Sequence, residues 1–292
     1  MPFDALPPLP PLLHPGAAEY AERTLARSRE AAQRHGALLD QAYGRDPRQR
    51  LDLYLPAAAP ARGLPVLLYF HGGAWMNGRK EWMGFLAPAL LDLPLLLVAA
   101  TYRIAPQVRL PAIVQDCVDG LAWTLDNAAR FGGDPGRVLV GGHSAGGHLA
   151  ALLALRPELL AARGLPAGAV RACLPTSAPL DLSHLQAPQT PADAQVRAAL
   201  GDEPAPWSPL RFADAAAVPF HLAWGEHDFP RIRAQNEAFA AALRARGCPV
   251  SHEVLPGLDH FTAHEATAAP GSCWVQAVRR LIDPQRPQAM PA

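Results

Sequence analysis

Val138-Leu139-Val140-Gly141-Gly142-His143-Ser144-Ala145-Gly146-Gly147-His148-Leu149 is the stretch on which the fold turns. The apolar run Val138-Leu139-Val140 leads into it, and helix formers, Leu149-Ala150-Ala151-Leu152-Leu153, lead out. Between them stands Gly142-His143-Ser144-Ala145-Gly146, a Gly-X-Ser-X-Gly pattern. Strand, pattern and helix together describe a nucleophile elbow. The glycines let strand and helix approach closely, and the serine is held strained with its hydroxyl at the C-terminal edge of a sheet. There the new helix offers unpaired N–H groups and the positive end of its dipole to a developing oxyanion.

Working outward, Val66-Leu67-Leu68-Tyr69-Phe70 reads as a buried strand, and His71-Gly72-Gly73-Ala74-Trp75 follows it directly. A loop of this form supplies the second N–H donor of an oxyanion hole, and glycine suits it because a side chain would block the backbone's approach to a carbonyl. We expect Gly72, Gly73 and Ala145 to form that hole, and His71 to order its loop. A serine nucleophile needs a base, and the base needs a carboxylate to fix its tautomer. After the strand-like Phe220-His221-Leu222-Ala223-Trp224 comes Gly225-Glu226-His227-Asp228, and after residues 250–255 comes Gly257-Leu258-Asp259-His260-Phe261. The expected catalytic set is Ser144, Asp228 and His260. Glu226 and Asp259 compete for the acid, and His227 and His264 for the base. His143 and His148, flanking the serine, are expected to pack the elbow or lie at the surface rather than to act as catalysts. Substrate-binding candidates are Trp75, Tyr102, Ser177, Phe229 and Phe261, with Trp82, Leu180 and Trp207 beside them. Trp75 either stacks on an aryl ring of the substrate or simply packs.

With these residues in view the chain resembles a known group. His71-Gly72-Gly73-Ala74-Trp75, the Gly-His-Ser-Ala-Gly elbow and Asp259-His260-Phe261 are similar to the α/β-hydrolase branch of arylformamidases (kynurenine formamidases) and hormone-sensitive-lipase-like carboxylesterases. Tyr43-Gly44 leading into residues 49–54, Tyr102-Arg103-Ile104-Ala105-Pro106 with Pro111 and Asp116, and Phe131-Gly132-Gly133-Asp134-Pro135 extend the likeness, which runs from about residue 17 to 282. The resemblance implies cleavage of a small-acyl ester or an aryl formamide through an acyl-enzyme, with no metal or organic cofactor. A general short-chain carboxylesterase without formamidase activity stands beside it, as does a non-catalytic binding protein on the same fold.

Composition narrows the rest. With 292 residues, half of them apolar, the chain has enough material for one large core. The formal net charge is zero, without a basic run or acidic tail, so a nucleic-acid partner or an anionic membrane surface is not expected. Lys80 is the only lysine against many arginines, which reads as genome composition. Cys117, Cys173, Cys248 and Cys273 are widely spaced and do not form a metal-binding pattern. Residues 1–15 lack the basic start and unbroken apolar core of a signal peptide, no run reaches the about 20 apolar residues of a membrane span, and the expected setting is cytoplasmic. The expected partner is a small-molecule acyl substrate, with monomer and homodimer both open.

Strands are predicted at 51–55, 65–70, 95–101, 137–141, 169–175, 219–224 and 250–255, and helices at 17–39, 82–91, 111–130, 145–155, 230–246 and 264–282. The runs at 65–70, 95–101 and 137–141 are continuously apolar, as in parallel strands buried on both faces. This alternation predicts a doubly wound, mostly parallel sheet with helices on both faces. A proline-rich arm at 1–16 precedes a single domain at 17–285. The helix at 17–39 either helps lid the site or covers the sheet edge. Prolines interrupt residues 178–216, with one short helix near 192–200, and this cap-like insertion is either a pocket wall or a surface excursion.

Overall fold

The computed structural model describes residues 3–4, 6–56, 62–201 and 203–283. Residues 1, 2 and 5 of the expected arm, and 57–61, 202, 284 and 285 of the expected domain, lie outside the described residues. The helix α1 (Ala17–Arg34) leads into β1 (Gly36–Ala42), β2 (Arg50–Leu55) and β3 (Leu64–Phe70). Then come α2 (Ala87–Leu90), β4 (Leu96–Ala100), α3 (Leu110–Asn127), β5 (Gly133–His143), α4 (Ala145–Leu155), α5 (Pro157–Ala162) and β6 (Ala172–Thr176). The chain continues through α6 (Pro191–Leu200), β7 (Phe220–Gly225), α7 (Pro230–Ala245), β8 (Val250–Leu255), α8 (His260–Thr267) and α9 (Cys273–Ile282).

Among the described residues the eight strands form one sheet in the order β1-β2-β4-β3-β5-β6-β7-β8. β1–β2 and β2–β4 are antiparallel, and every other pairing is parallel. The sheet is covered on both sides because the residues of β3 alternate between two cores. Val66, Leu68 and Phe70 join a layer with Ile113, Val114, Leu149 and Phe239, while Leu67 and Tyr69 join one with Phe85, Trp274 and Val278. Every residue of β3 and β4 is buried, which explains their unbroken apolar runs.

Three elements differ from the sequence expectation. The first helix stops at Arg34 rather than running to 39, and Leu38 and Leu39 lie in β1, whose alternating exposure fits an edge strand hydrogen-bonded on one side to β2. The stretch 264–282 is two helices, because Pro270-Gly271 interrupts it and the Ser272 hydroxyl accepts from the Val275 N–H to start α9 afresh. Residues 82–91 form mainly short 3-10 turns before α2.

Lys80 sits behind the sheet's antiparallel end, 2% exposed, with its ammonium 2.9 Å from Asp52 and 2.6 Å from Glu81. Burial alone would lower its pKa, but the two carboxylates outweigh burial and raise it. No helix among the described residues is long and apolar enough to cross a membrane.

Candidate active site

The elbow follows from sterics at two glycines. β5 ends at His143, Ser144 takes φ 52° and ψ −121°, and α4 begins at Ala145. A Cβ on Gly142 would lie 2.3 Å from the Gly146 carbonyl carbon, and one on Gly146 would lie 2.1 Å from the Phe70 oxygen. Neither position tolerates a side chain. The serine is pinned by its own N–H, which donates to the Thr176 carbonyl at 2.9 Å.

The loop after β3 is equally constrained. Gly73 has φ 121°, and its carbonyl accepts from the N–H groups of Met76 and Asn77 at 3.0 and 2.9 Å. A Cβ on Gly72 would come within 3.2 Å of Ser144 Cβ, so loop and elbow lie side by side. His71 Nδ1–H donates to the Gly72 carbonyl at 2.7 Å, and burial holds that imidazole down to about 3, hence neutral. Its ring stacks on Tyr102 at 4.2 Å, and the Tyr102 hydroxyl donates to the His71 carbonyl at 2.8 Å.

Asp228 follows β7, and His260 is the first residue of α8. His260 Nδ1–H donates to Asp228 Oδ1 at 2.8 Å, and that oxygen also accepts the Phe229 N–H at 2.7 Å. Burial would raise the Asp228 carboxyl. The hydrogen bond and charge of His260, with help from Ser177 and the Phe229 amide, overcome it and hold Asp228 below the ordinary carboxylate range. The bond fixes the proton on Nδ1 and leaves the Nε2 lone pair of His260 free.

The competing groups are otherwise engaged. His264 is fully buried, with Tyr20 Oη at 2.7 Å from Nδ1 and Tyr69 Oη at 2.9 Å from Nε2. Asp259 caps α8, accepting from the N–H groups of Phe261 and Thr262, and the exposed Glu226 accepts from the Gly257 N–H. His227 is exposed. His143 Nε2–H donates to the His260 carbonyl at 3.0 Å, and its ring stacks on His264 at 4.3 Å.

Two cavities meet at Ser144 and His260, sharing Leu13, His14 and Ala74. The larger, about 160 Å³, is walled by Trp75, Leu182, Leu185, Val196, Phe229 and Ile232, with the Arg231–Asp193 ion pair among its lining. The narrower, about 60 Å³, lies beside Gly72, Gly73, Met76, Trp82, Tyr20 and Phe261. Residues of the 178–216 stretch therefore wall the larger space. Trp75, Phe229 and Phe261 face the cavities, whereas two substrate-binding candidates do not. Tyr102 is fully buried beneath the loop after β3, and Ser177 is fully buried beside Asp228. Leu180 and Trp207 also lie outside both linings.

Sequence reasoning missed the part played by the N-terminal arm. Its Pro7 carbonyl accepts from Arg79 Nη2 at 2.6 Å, its Pro10 carbonyl accepts from Asn77, and His14 packs against Phe229 at 4.9 Å. The proline-rich composition of the arm was visible, but nothing in it signals a partner some 70 residues downstream. Among the described residues no group of three or more His, Cys, Asp or Glu is placed to hold a metal ion.

The BD-FAE family model matches residues 51–243. The chain belongs to the BD-FAE family. Among relatives of this BD-FAE protein, Esterase LipQ of Mycobacterium tuberculosis is 34% identical over 76% of the chain, which spans 56% of LipQ. A kynurenine formamidase of Danio rerio is 28% identical, with 78% of this chain and 76% of the relative covered. The chain spans only 29% of a probable isoprenylcysteine alpha-carbonyl methylesterase of Oryza sativa to which it is 36% identical. In structure it is similar to a hyperthermophilic esterase from Pyrobaculum calidifontis, with a TM-score of 0.73, 23% identity and 91% of each chain covered. The BD-FAE domain thus has an α/β-hydrolase fold with esterases and a formamidase among its relatives.

Proposed function

We propose that this protein is a serine hydrolase that cleaves small-acyl esters or aryl formamides through an acyl-enzyme. The Ser144 hydroxyl attacks the substrate carbonyl carbon as His260 Nε2 takes its proton, and Asp228 stabilises the imidazolium that results. The N–H groups of Ala145 and Gly73, with Gly72 at the loop's start, hold the oxyanion; losing one such donor costs about 10²–10³ in turnover in comparable hydrolases. His260 then returns the proton to the departing alcohol or arylamine. A water molecule, deprotonated by His260, attacks the acyl carbon and releases the acid with Ser144 restored. The observation that carries this reading is the 2.8 Å bond from His260 to Asp228, which leaves Nε2 free in the space lined by Ser144.

The acyl group goes to the narrower cavity and the leaving group to the larger, where Trp75 and Phe229 offer aromatic surface. We assign the protein to the cytoplasm, in keeping with four free cysteines, three of them buried. The experiment compares kcat/KM for N-formylkynurenine, p-nitrophenyl acetate and p-nitrophenyl butyrate, using wild type and Ser144→Ala. Ser144→Ala should leave only trace activity on each, and near-wild-type turnover would overturn the mechanism. A formamide preference above about 100-fold, roughly 2.7 kcal/mol in transition-state binding, identifies a formamidase, and fast ester cleavage alone identifies a carboxylesterase.

A further inference from the structure

His148 lies in the first turns of α4, four residues beyond Ser144, and is fully buried. Its ring is engaged at both nitrogens. An indole N–H can only donate, so the 3.2 Å contact from Trp75 Nε1 makes His148 Nδ1 the acceptor. The proton therefore sits on Nε2 and is donated to the Trp207 carbonyl at 2.8 Å. One neutral imidazole joins three segments: the loop after β3, the helix that carries the serine, and the 178–216 stretch that walls the larger cavity. Burial keeps it neutral, down to about 4.

The loop needs such an anchor. Ala74 and Trp75 are consecutive non-glycine residues in the left-handed region, at φ 52° and 59°. Each is a strained backbone conformation that persists only where the surroundings over-determine it. The Trp75 carbonyl accepts from the Ala105 N–H at 2.9 Å, and its side chain is fixed by His148, with the two rings edge to face at 5.1 Å. Gly73, whose N–H is assigned to the oxyanion hole, is two residues upstream.

We propose that His148 is a positioning residue, and that the Trp75–His148–Trp207 chain holds the oxyanion loop in register with the Ser144 helix. This rests on the hydrolase reading above. His148 lines neither cavity, so it acts through Trp75. A displacement of the order of 1 Å at such a loop costs about 10²-fold in rate, and the loss falls on transition-state rather than ground-state binding.

The test measures kcat and KM on p-nitrophenyl acetate for wild type, His148→Leu, His148→Asn, Trp75→Phe and the Trp75→Phe/His148→Leu double variant. Ser144→Ala serves as the control. His148→Leu should lower kcat about 10- to 100-fold with KM little changed, and Trp75→Phe should lower kcat as far, with a shift in KM besides because Trp75 also walls the larger cavity. The double variant should be no worse than the poorer single, since both remove one interaction. His148→Asn, whose Oδ1 replaces Nδ1 as acceptor, should recover most of kcat. An unchanged kcat with only a lowered unfolding temperature, a change confined to KM, or additive single effects would overturn the proposal. Should His148→Leu fail to fold, a lowered kcat in Trp75→Phe with kcat kept in His148→Asn supports the proposal, and an unchanged kcat in Trp75→Phe overturns it. Substantial turnover by Ser144→Ala would instead sink the hydrolase reading, whereas an inactive Ser144→Ala with unaffected His148 variants sinks this inference alone.

Discussion

Beneath Ser144 the backbone sets the geometry: Gly142 and Gly146 have no room for a Cβ, and the loop at Gly73 is closed by its own hydrogen bonds. Above Ser144, residues 7–14 are held by side chains reaching to carbonyls, Arg79 to Pro7 and Asn77 to Pro10. The floor is fixed by exclusion, where any added atom collides. The roof is fixed by a few partly buried hydrogen bonds, each worth about 0.5–1.5 kcal/mol net. Floor and roof should therefore fail in different ways.

The largest effect is expected in the floor. Gly146→Ala drives a methyl to 2.1 Å from the Phe70 oxygen, so strand and helix must separate. We expect destabilisation above about 4 kcal/mol and loss of turnover, read by urea unfolding and ester hydrolysis. A well-folded, active Gly146→Ala would show that the elbow is looser than its contacts imply.

Acid comes next, because the floor is packed with histidines kept neutral. Burial lowers His71 and His143 to about 3 and His148 to about 4 from an ordinary 6.5, and His264 well below it. Above 6.5 these rings are neutral in both folded and unfolded chains, and the native state keeps its full stability. As pH falls through 6.5 the unfolded chain takes up protons that the native state refuses, and each group subtracts ~1.4 kcal/mol per pH unit. Asp228, depressed in the native state, loses its own contribution only at still lower pH, as its folded value is passed. Unfolding free energy should fall by several kcal/mol between pH 6 and 5, with proton uptake on unfolding. A flat profile would mean these rings reach water.

Changes in the roof should be mild and selective. Asn77→Ala and Arg79→Ala release the arm, for an expected stability loss of about 1 kcal/mol or less. Hydrolysis of p-nitrophenyl octanoate should rise relative to acetate, since Leu13 and His14 line both cavities. An unchanged chain-length preference would show that the arm covers the site without shaping it. Smallest in its effect on turnover, and most local, is Tyr20→Phe, which removes the hydroxyl at His264 Nδ1 and should cost about 1–3 kcal/mol in unfolding free energy while leaving hydrolysis nearly intact.

The same division governs what the sequence discloses. Ser144, Gly73, Asp228 and His260 stand at strand ends in short motifs, where a few residues carry both the local geometry and the proposed chemistry. The alternate cores of β3 were legible as one apolar run. Tyr102 and Ser177 were misplaced because proximity to a strand end does not say on which side of a loop a residue points, and Tyr102 points back to the His71 carbonyl. β1 was hidden because Leu38 and Leu39 fit a helix until the pairing with β2 forms. The roles of Leu13 and His14 depend on neighbours distant in sequence, His14 packing on Phe229 and both lining the cavities beside Ser144 and His260, which no local pattern encodes.

Lys80 has a practical corollary. As the only lysine of the sequence it is buried and ion-paired, so the folded protein presents no side-chain amine for acylating reagents to reach. Amine-directed labels would reach this side chain only when the packing around it opens. The rate of that single modification would serve as a clock for opening, readable by mass spectrometry without an engineered probe.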